Sequence, residues 1–289
     1  MKNNKSKKMF KNTIYRITKY IKSSPTLFDS FYRKTKNRKF KVEKLLSCIL
    51  KLVKNGMTFR ESHNCIEYQN ISWTTIYKFY VKLIKFNIIQ KTYNKTIKHF
   101  LNKTKQNIFL TDTTLIANKM GIDNIGYNPQ LIKHKSLKIS IITTVDGVPI
   151  DTYITSGNCN DSKILFDQIN SRYSNFHKIT TKNNELLADS GYDSNKIRDK
   201  LKELEFGQLL CHRNKRNTKN LEKLKTIKLN DTTKIKLKKR FKVEHIFSHL
   251  KSFRRISYRY DKFSQNYNNF VLLAILMITL KITSKDKLY

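Results

Sequence analysis

Acidic residues are scarce. Only 21 Asp and Glu stand against 59 Lys and Arg in 289 residues, a formal charge of +38. That excess excludes an ordinary metabolic enzyme and points to a polyanion, most often nucleic acid. The chain is crowded with Lys, Asn, Ile and Tyr, the residues of AT-rich coding, and the lysines among them contribute part of that charge. Cysteine is equally thin. Cys48, Cys65, Cys159 and Cys211 lie far apart and form no C-x-x-C pair. Neither a disulfide framework nor a zinc ribbon is expected, and a reducing, intracellular location fits best. Seven Gly and three Pro exclude collagen-like, linker-rich and Gly-loop architectures. Residues 1–22 are basic but lack the apolar run of a signal peptide. The longest apolar run, Phe270 to Leu280, falls short of the about 20 residues that cross a bilayer. It reads as a buried helix, with no membrane partner.

What is present is enough apolar material for a core: 39% hydrophobic residues, 11% aromatic. A disordered basic tail is therefore excluded. Residues 1–38 read as a basic N-terminal arm. Residues 39–105 read as an all-α, helix-turn-helix-like domain. Val42, Leu45, Leu46, Ile49, Leu50 and Val53 recur at helical spacing, and Asn55-Gly56 stops that helix. Thr58 and Glu61 form a capping-box pattern for a short second helix to Glu67. Ser72 caps a third carrying Ile76, Phe79, Tyr80, Leu83 and Ile84. Its outward face would present Thr74, Thr75, Lys78 and Lys82 to DNA.

Residues 106–289 change period. Strands are expected at 108–115, 137–145, 150–155, 185–189 and 208–212, with Asp146-Gly147 as a hairpin turn. Helices are expected at 161–171, from 193 or 194 to about 205, at 234–253 and at 265–282. Three antiparallel strands followed by crossover units make an α/β fold, a mixed five-stranded sheet flanked by helices.

With acids so few, their placement is informative. Asp112 lies inside the apolar strand IFLTD, and Asp189 ends another, LLAD. A carboxylate there is unfavourable unless paired or bound to a cation. If the two strands are neighbours, both could share Mg²⁺ or Mn²⁺. Glu244 follows in RFKVEH. On one helix, Arg240, Glu244 and Lys251 share a face, and Arg254 and Arg255 follow. One acid among such cations suits a metal-bound phosphodiester. His245 and His249 lack the order and third ligand of a zinc site.

These stretches, LTDTT, ADSGYD and RFKVEHIFSHLKSFRRISYRY, resemble DDE-type insertion-sequence transposases. The last is similar to that family's Y-x2-R-x3-E-x6-K signature. Arg240, Glu244 and Lys251 match it, and Leu237 stands in place of the Tyr. Residues 139–161 resemble the family's second and third strands and the turn after them, and 272–280 its closing helix. The resemblance implies an RNase H-like catalytic domain. It also implies metal-dependent DNA cleavage and strand transfer. Asp112, Asp189 and Glu244 would hold two divalent ions, Mg²⁺ or Mn²⁺. Arg240, Lys251, Arg254 and Arg255 would lie along double-stranded DNA, that is, the element's terminal inverted repeats and the target. A homodimer or higher assembly on DNA is implied too. A catalytically silent, transposase-derived DNA-binding protein is the alternative.

Overall fold

Apolar spacing explains most of the elements in the computed structural model, which describes residues 2–32, 40–131, 135–211 and 231–284. The contacts divide the chain into two units. One comprises Met1–Thr96, Met120–Asp123 and Leu250–Tyr289; the other comprises Ile97–Lys119 and Asn124–His249. This differs from a division at residue 105, because the C-terminal segment joins the first unit.

In the first unit, α1 (Lys2–Lys22) occupies much of the expected basic arm. It forms because Met9, Thr13, Ile17 and Ile21, four residues apart, are all buried on one face. Helix α2 (Pro25–Tyr32) opens on a proline, at the one turn where its missing N–H costs nothing. Helix α3 (Val42–Asn55) ends as expected. Gly56 takes the left-handed φ of 74° and donates its N–H to the Leu52 carbonyl. The capping box forms: Thr58 N–H donates to Glu61 Oε2 (2.7 Å), and Glu61 N–H donates to Thr58 Oγ1 (3.2 Å). It starts two 3₁₀ turns, Arg60–Asn64 and Ile66–Tyr68, in place of the expected second helix. Helix α4 (Trp73–Lys85) buries Ile76, Phe79, Tyr80, Leu83 and Ile84. Helix α5 is Ile88–Lys103.

The second unit holds a mixed sheet. Its strands are β1 (Ile108–Asn118), β2 (Gly126–Tyr127), β3 (Lys135–Thr144), β4 (Pro149–Ser156), β5 (Glu185–Leu187) and β6 (Gln208–Leu210). The five longer strands run β4-β3-β1-β5-β6. The first pairings are antiparallel and those of β1 with β5 and β5 with β6 parallel. That is the expected mixed arrangement, with the short β2 added against β3. Gly147, at φ 81°, closes the β3–β4 hairpin. Helices α6 (Asp161–Asn170), α7 (Asn195–Glu203), α8 (Asp231–Lys238) and α9 (Phe241–Lys251) accompany the sheet. His212, the last residue of the expected strand 208–212, and the neighbouring basic residues Arg213, Lys215 and Arg216 lie outside the described residues.

The first unit is completed by α10 (Arg254–Ser257), β7 (Tyr258–Arg259) and α11 (Ser264–Thr283). All of Phe270–Leu280 is buried. Each large apolar side chain there contributes on the order of 1.5–3 kcal/mol of burial free energy. This supports the reading as a core helix. Arg259 is also buried, 1% exposed. It donates to the Asp123, Asp261 and Lys262 carbonyls and to the Asp123 carboxylate. Nothing in its sequence setting signalled that role.

Candidate active site

The register of β1 against β5 brings two acids abreast. Leu110 pairs with Leu187 in parallel, and Asp112 and Asp189 each lie two residues further on. Residues two apart on a strand share a face, and neighbouring strands lie about 4.8 Å apart. Both side chains therefore leave the sheet at one place. Arg240 confirms the convergence, with Nη2 3.2 Å from Asp112 Oδ2 and Nη1 3.6 Å from Asp189 Oδ1.

Each carboxylate is also held by backbone. Thr113 N–H donates to Asp112 Oδ1 (2.8 Å). Ser190 N–H donates to Asp189 Oδ1 (2.7 Å) as Asp189 caps the turn Ser190–Tyr192. Burial pushes the Asp112 carboxyl above its ordinary value. The Thr113 N–H and the Arg240 guanidinium pull it back, and Asp189 adds to the rise. A half-buried carboxylate beside another is stabilised by any cation that lies between them. Two oxygen-donor groups converging on one positive charge fit a hard divalent cation such as Mg²⁺ or Mn²⁺.

Glu244 is not brought into this pair. Among the described residues, no three His, Cys, Asp or Glu side chains are close enough to hold one ion. The expected single helix over 234–253 is broken. Helix α8 ends at Lys238 and α9 begins at Phe241, with Arg240 in the turn between them. Arg240 N–H bonds the Leu237 carbonyl, and the Arg240 carbonyl accepts from Val243 N–H. Arg240 and Glu244 are thus not one turn apart on a continuous helical face. Glu244 sits exposed in the first turn of α9, where the partial positive charge of the helix end favours a carboxylate. Leu237 is buried, so the position of the signature Tyr serves here as packing. Asn160 caps α6 by accepting from Ser162 N–H.

Two residues expected on DNA are used internally. Arg255, 9% exposed at its side chain, pairs with Asp261 at 2.7 Å. It also donates to the Met57 carbonyl and lies over the Phe270 ring. Lys82 donates to the Ser30 carbonyl and lies 4.9 Å over the Phe31 ring. Both cations satisfy groups of their own unit. On α4, Thr74 and Thr75 are half-buried and Lys78 is exposed. The exposed apolar stripe is Trp73, Tyr77 and Val81, one helical turn apart, with the Arg60 guanidinium 5.5 Å over the Trp73 ring. Lys251 and Arg254 are exposed.

A search of curated proteins finds no match. Among solved structures, the chain is similar to a Mos1 transposase paired-end complex with left transposon end. Identity is 10% and the TM-score 0.27, covering 79% of this chain and 85% of that one. It is similar also to a pre-cleavage Mos1 transpososome, at 10% identity and TM-score 0.26, covering 92% and 87%. The family model of the transposase DDE domain matches residues 103–279, a stretch that includes Asp112, Asp189, Arg240 and Glu244. Since that match spans more than half of the 289 residues, the chain belongs to the transposase DDE-domain family.

Proposed function

We propose that this protein cuts DNA at the ends of a mobile element and transfers the freed strand to a target. Asp112 and Asp189 would hold divalent metal, and Glu244, which stands apart from them in the metal-free chain, would join as the third acid when metal and DNA are bound. The observation that carries the reading is the in-register placement of Asp112 and Asp189 against a single guanidinium. When bound, Mg²⁺ or Mn²⁺ would supply an activated attacking oxygen and neutralise the leaving one. The chain's own residues do the rest. Thr113 N–H holds Asp112 Oδ1 and leaves Oδ2 toward the Arg240 cation, whereas Ser190 N–H holds Asp189 Oδ1, the same oxygen that faces Arg240. Arg240 balances the two negative charges and is a guanidinium suited to a phosphate oxygen. Lys251 and Arg254 are exposed cations available to the DNA backbone. In the helical unit, Lys78 with Thr74 and Thr75 on α4 would contact the terminal repeats. A net charge of +38 favours strong, salt-sensitive binding through counterion release. Joining two ends calls for a dimer or larger assembly on DNA.

The test is cleavage of duplex DNA carrying the sequences that flank the gene, with Mg²⁺ or Mn²⁺. The wild-type chain should nick at the repeat boundary. Asp112→Asn, Asp189→Asn and Glu244→Gln should each lower the rate by at least about 100-fold while DNA binding is retained. Cleavage at the wild-type rate by Asp112→Asn or Asp189→Asn would refute the assignment.

A further inference from the structure

A further acid lies behind the pair. Asp161 is the first residue of α6. Its Oδ1 accepts from Thr113 Oγ1 at 2.9 Å and from Lys138 Nζ at 2.8 Å. Lys138 is nearly enclosed, 11% exposed at its side chain, and also donates to the Cys159 carbonyl.

Thr113 joins the two groups. Its N–H donates to Asp112 Oδ1, and its hydroxyl donates to Asp161. Successive side chains leave a strand on opposite faces. Asp161 therefore grips β1 from the face opposite to Asp112. The turn that carries Asp189 passes the same carboxylate, since a Cβ built on Gly191 would lie 3.9 Å from Asp161 Oδ2. Tyr192 in that turn is buried and feels both acids: its phenol is pushed up first by burial, then by Asp112 and Asp161.

Helix α6 is anchored a second time two turns later. Gln168 Nε2 donates to Asp151 Oδ2 (3.1 Å) on β4, and Gln168 Oε1 accepts from Ser140 Oγ (2.6 Å) on β3. Asp161 is thus held on a helix fixed to the sheet at both points. Its side chain is 34% exposed, so its ion pair contributes little to stability. Its contacts run instead to both segments that present the metal-holding acids.

We propose that Asp161 is a positioning residue for Asp112 and Asp189. Acting through Thr113 and the Ser190–Tyr192 turn, it sets their separation and the orientation of Asp112. This rests on the reading that those two acids hold divalent metal. Groups that orient metal-ligating carboxylates typically change metal affinity by about 10–100-fold when removed.

The test uses the full-length chain and Mn²⁺ alone, followed by electron paramagnetic resonance and calorimetry. Asp161→Asn and Thr113→Val, both close in shape to the native residues, should each weaken Mn²⁺ binding by about 10-fold. Asp161→Glu should restore part of it. The thermal midpoint should change little. With DNA, Asp161→Asn should lower kcat and leave KM for DNA unchanged. Mn²⁺ binding by Asp161→Asn equal to wild type would overturn the proposal while leaving the metal reading intact. If the wild-type chain binds no more Mn²⁺ than Asp112→Asn, the metal reading falls and this proposal with it.

Discussion

Asp151 makes folding stability depend on pH in a direction opposite to that of most carboxylates. It is 3% exposed on β4. Its Oδ2 accepts from Gln168 Nε2 and Ser174 Oγ, and its Oδ1 accepts from Asn175 N–H. These bonds favour the ionised form, but burial outweighs them and pushes the carboxyl from 3.8 up to about 6. The folded chain therefore holds this proton more tightly than the unfolded chain does. The resulting stabilisation is fully present below about pH 4 and is lost as pH rises through about 6. The change is about 3 kcal/mol, from about 1.4 kcal/mol per pH unit. Urea unfolding from pH 4 to pH 7.5, wild type against Asp151→Asn, isolates it from the other acids. Stability of wild type relative to the variant should fall by about 3 kcal/mol, mostly between pH 4 and pH 6. A flat difference, or one that rises with pH, would refute the reasoning.

Two other perturbations give directional outcomes. Arg240→Met removes the positive charge between Asp112 and Asp189. Exposure of 22% to 58% among the three side chains limits the loss of metal-free stability to about 1 kcal/mol. The same change removes a competitor for the acids, so Mn²⁺ should bind about 5-fold more tightly by calorimetry; weaker binding would show that the guanidinium assists the ion. Gly56→Ala forces a side chain onto a residue at φ 74°, where its Cβ would lie 2.7 Å from Arg254 Cβ and 3.3 Å from the Arg254 backbone. Backbone strain and overpacking together should cost about 2–3 kcal/mol, measured by thermal unfolding. An unchanged midpoint would mean that the α3 terminus can move.

Local signals were legible because their partners are near in the chain. The Gly56 stop, the Thr58–Glu61 box, the buried face of α4 and the β3–β4 hairpin each depend on residues within a few positions of one another. The missed features are of two kinds. Some were weak local signals, such as the α1 stripe at Met9, Thr13, Ile17 and Ile21, hidden among lysines. Others depend on distant partners. The break at Lys239–Arg240 leaves Arg240 in a turn over the carboxylates, although residues 234–253 have a helical pattern throughout. Arg255 and Lys82 have the composition of DNA-contacting cations, yet Asp261, Met57 and Ser30 already occupy them.

By itself, then, the sequence determined the five main strands, the strongly periodic helices α3, α4 and α11, the family, and the few acids able to carry the chemistry, since periodicity, capping and residue scarcity are written along the chain. The tertiary structure alone decided which acids meet. Asp112 and Asp189 lie side by side because parallel strands pair in one register, Asp161 joins them through Thr113, and Glu244 stays apart because its helix starts after a turn. Such meetings depend on strand register and helix breaks, which long-range packing selects among patterns that look alike in sequence.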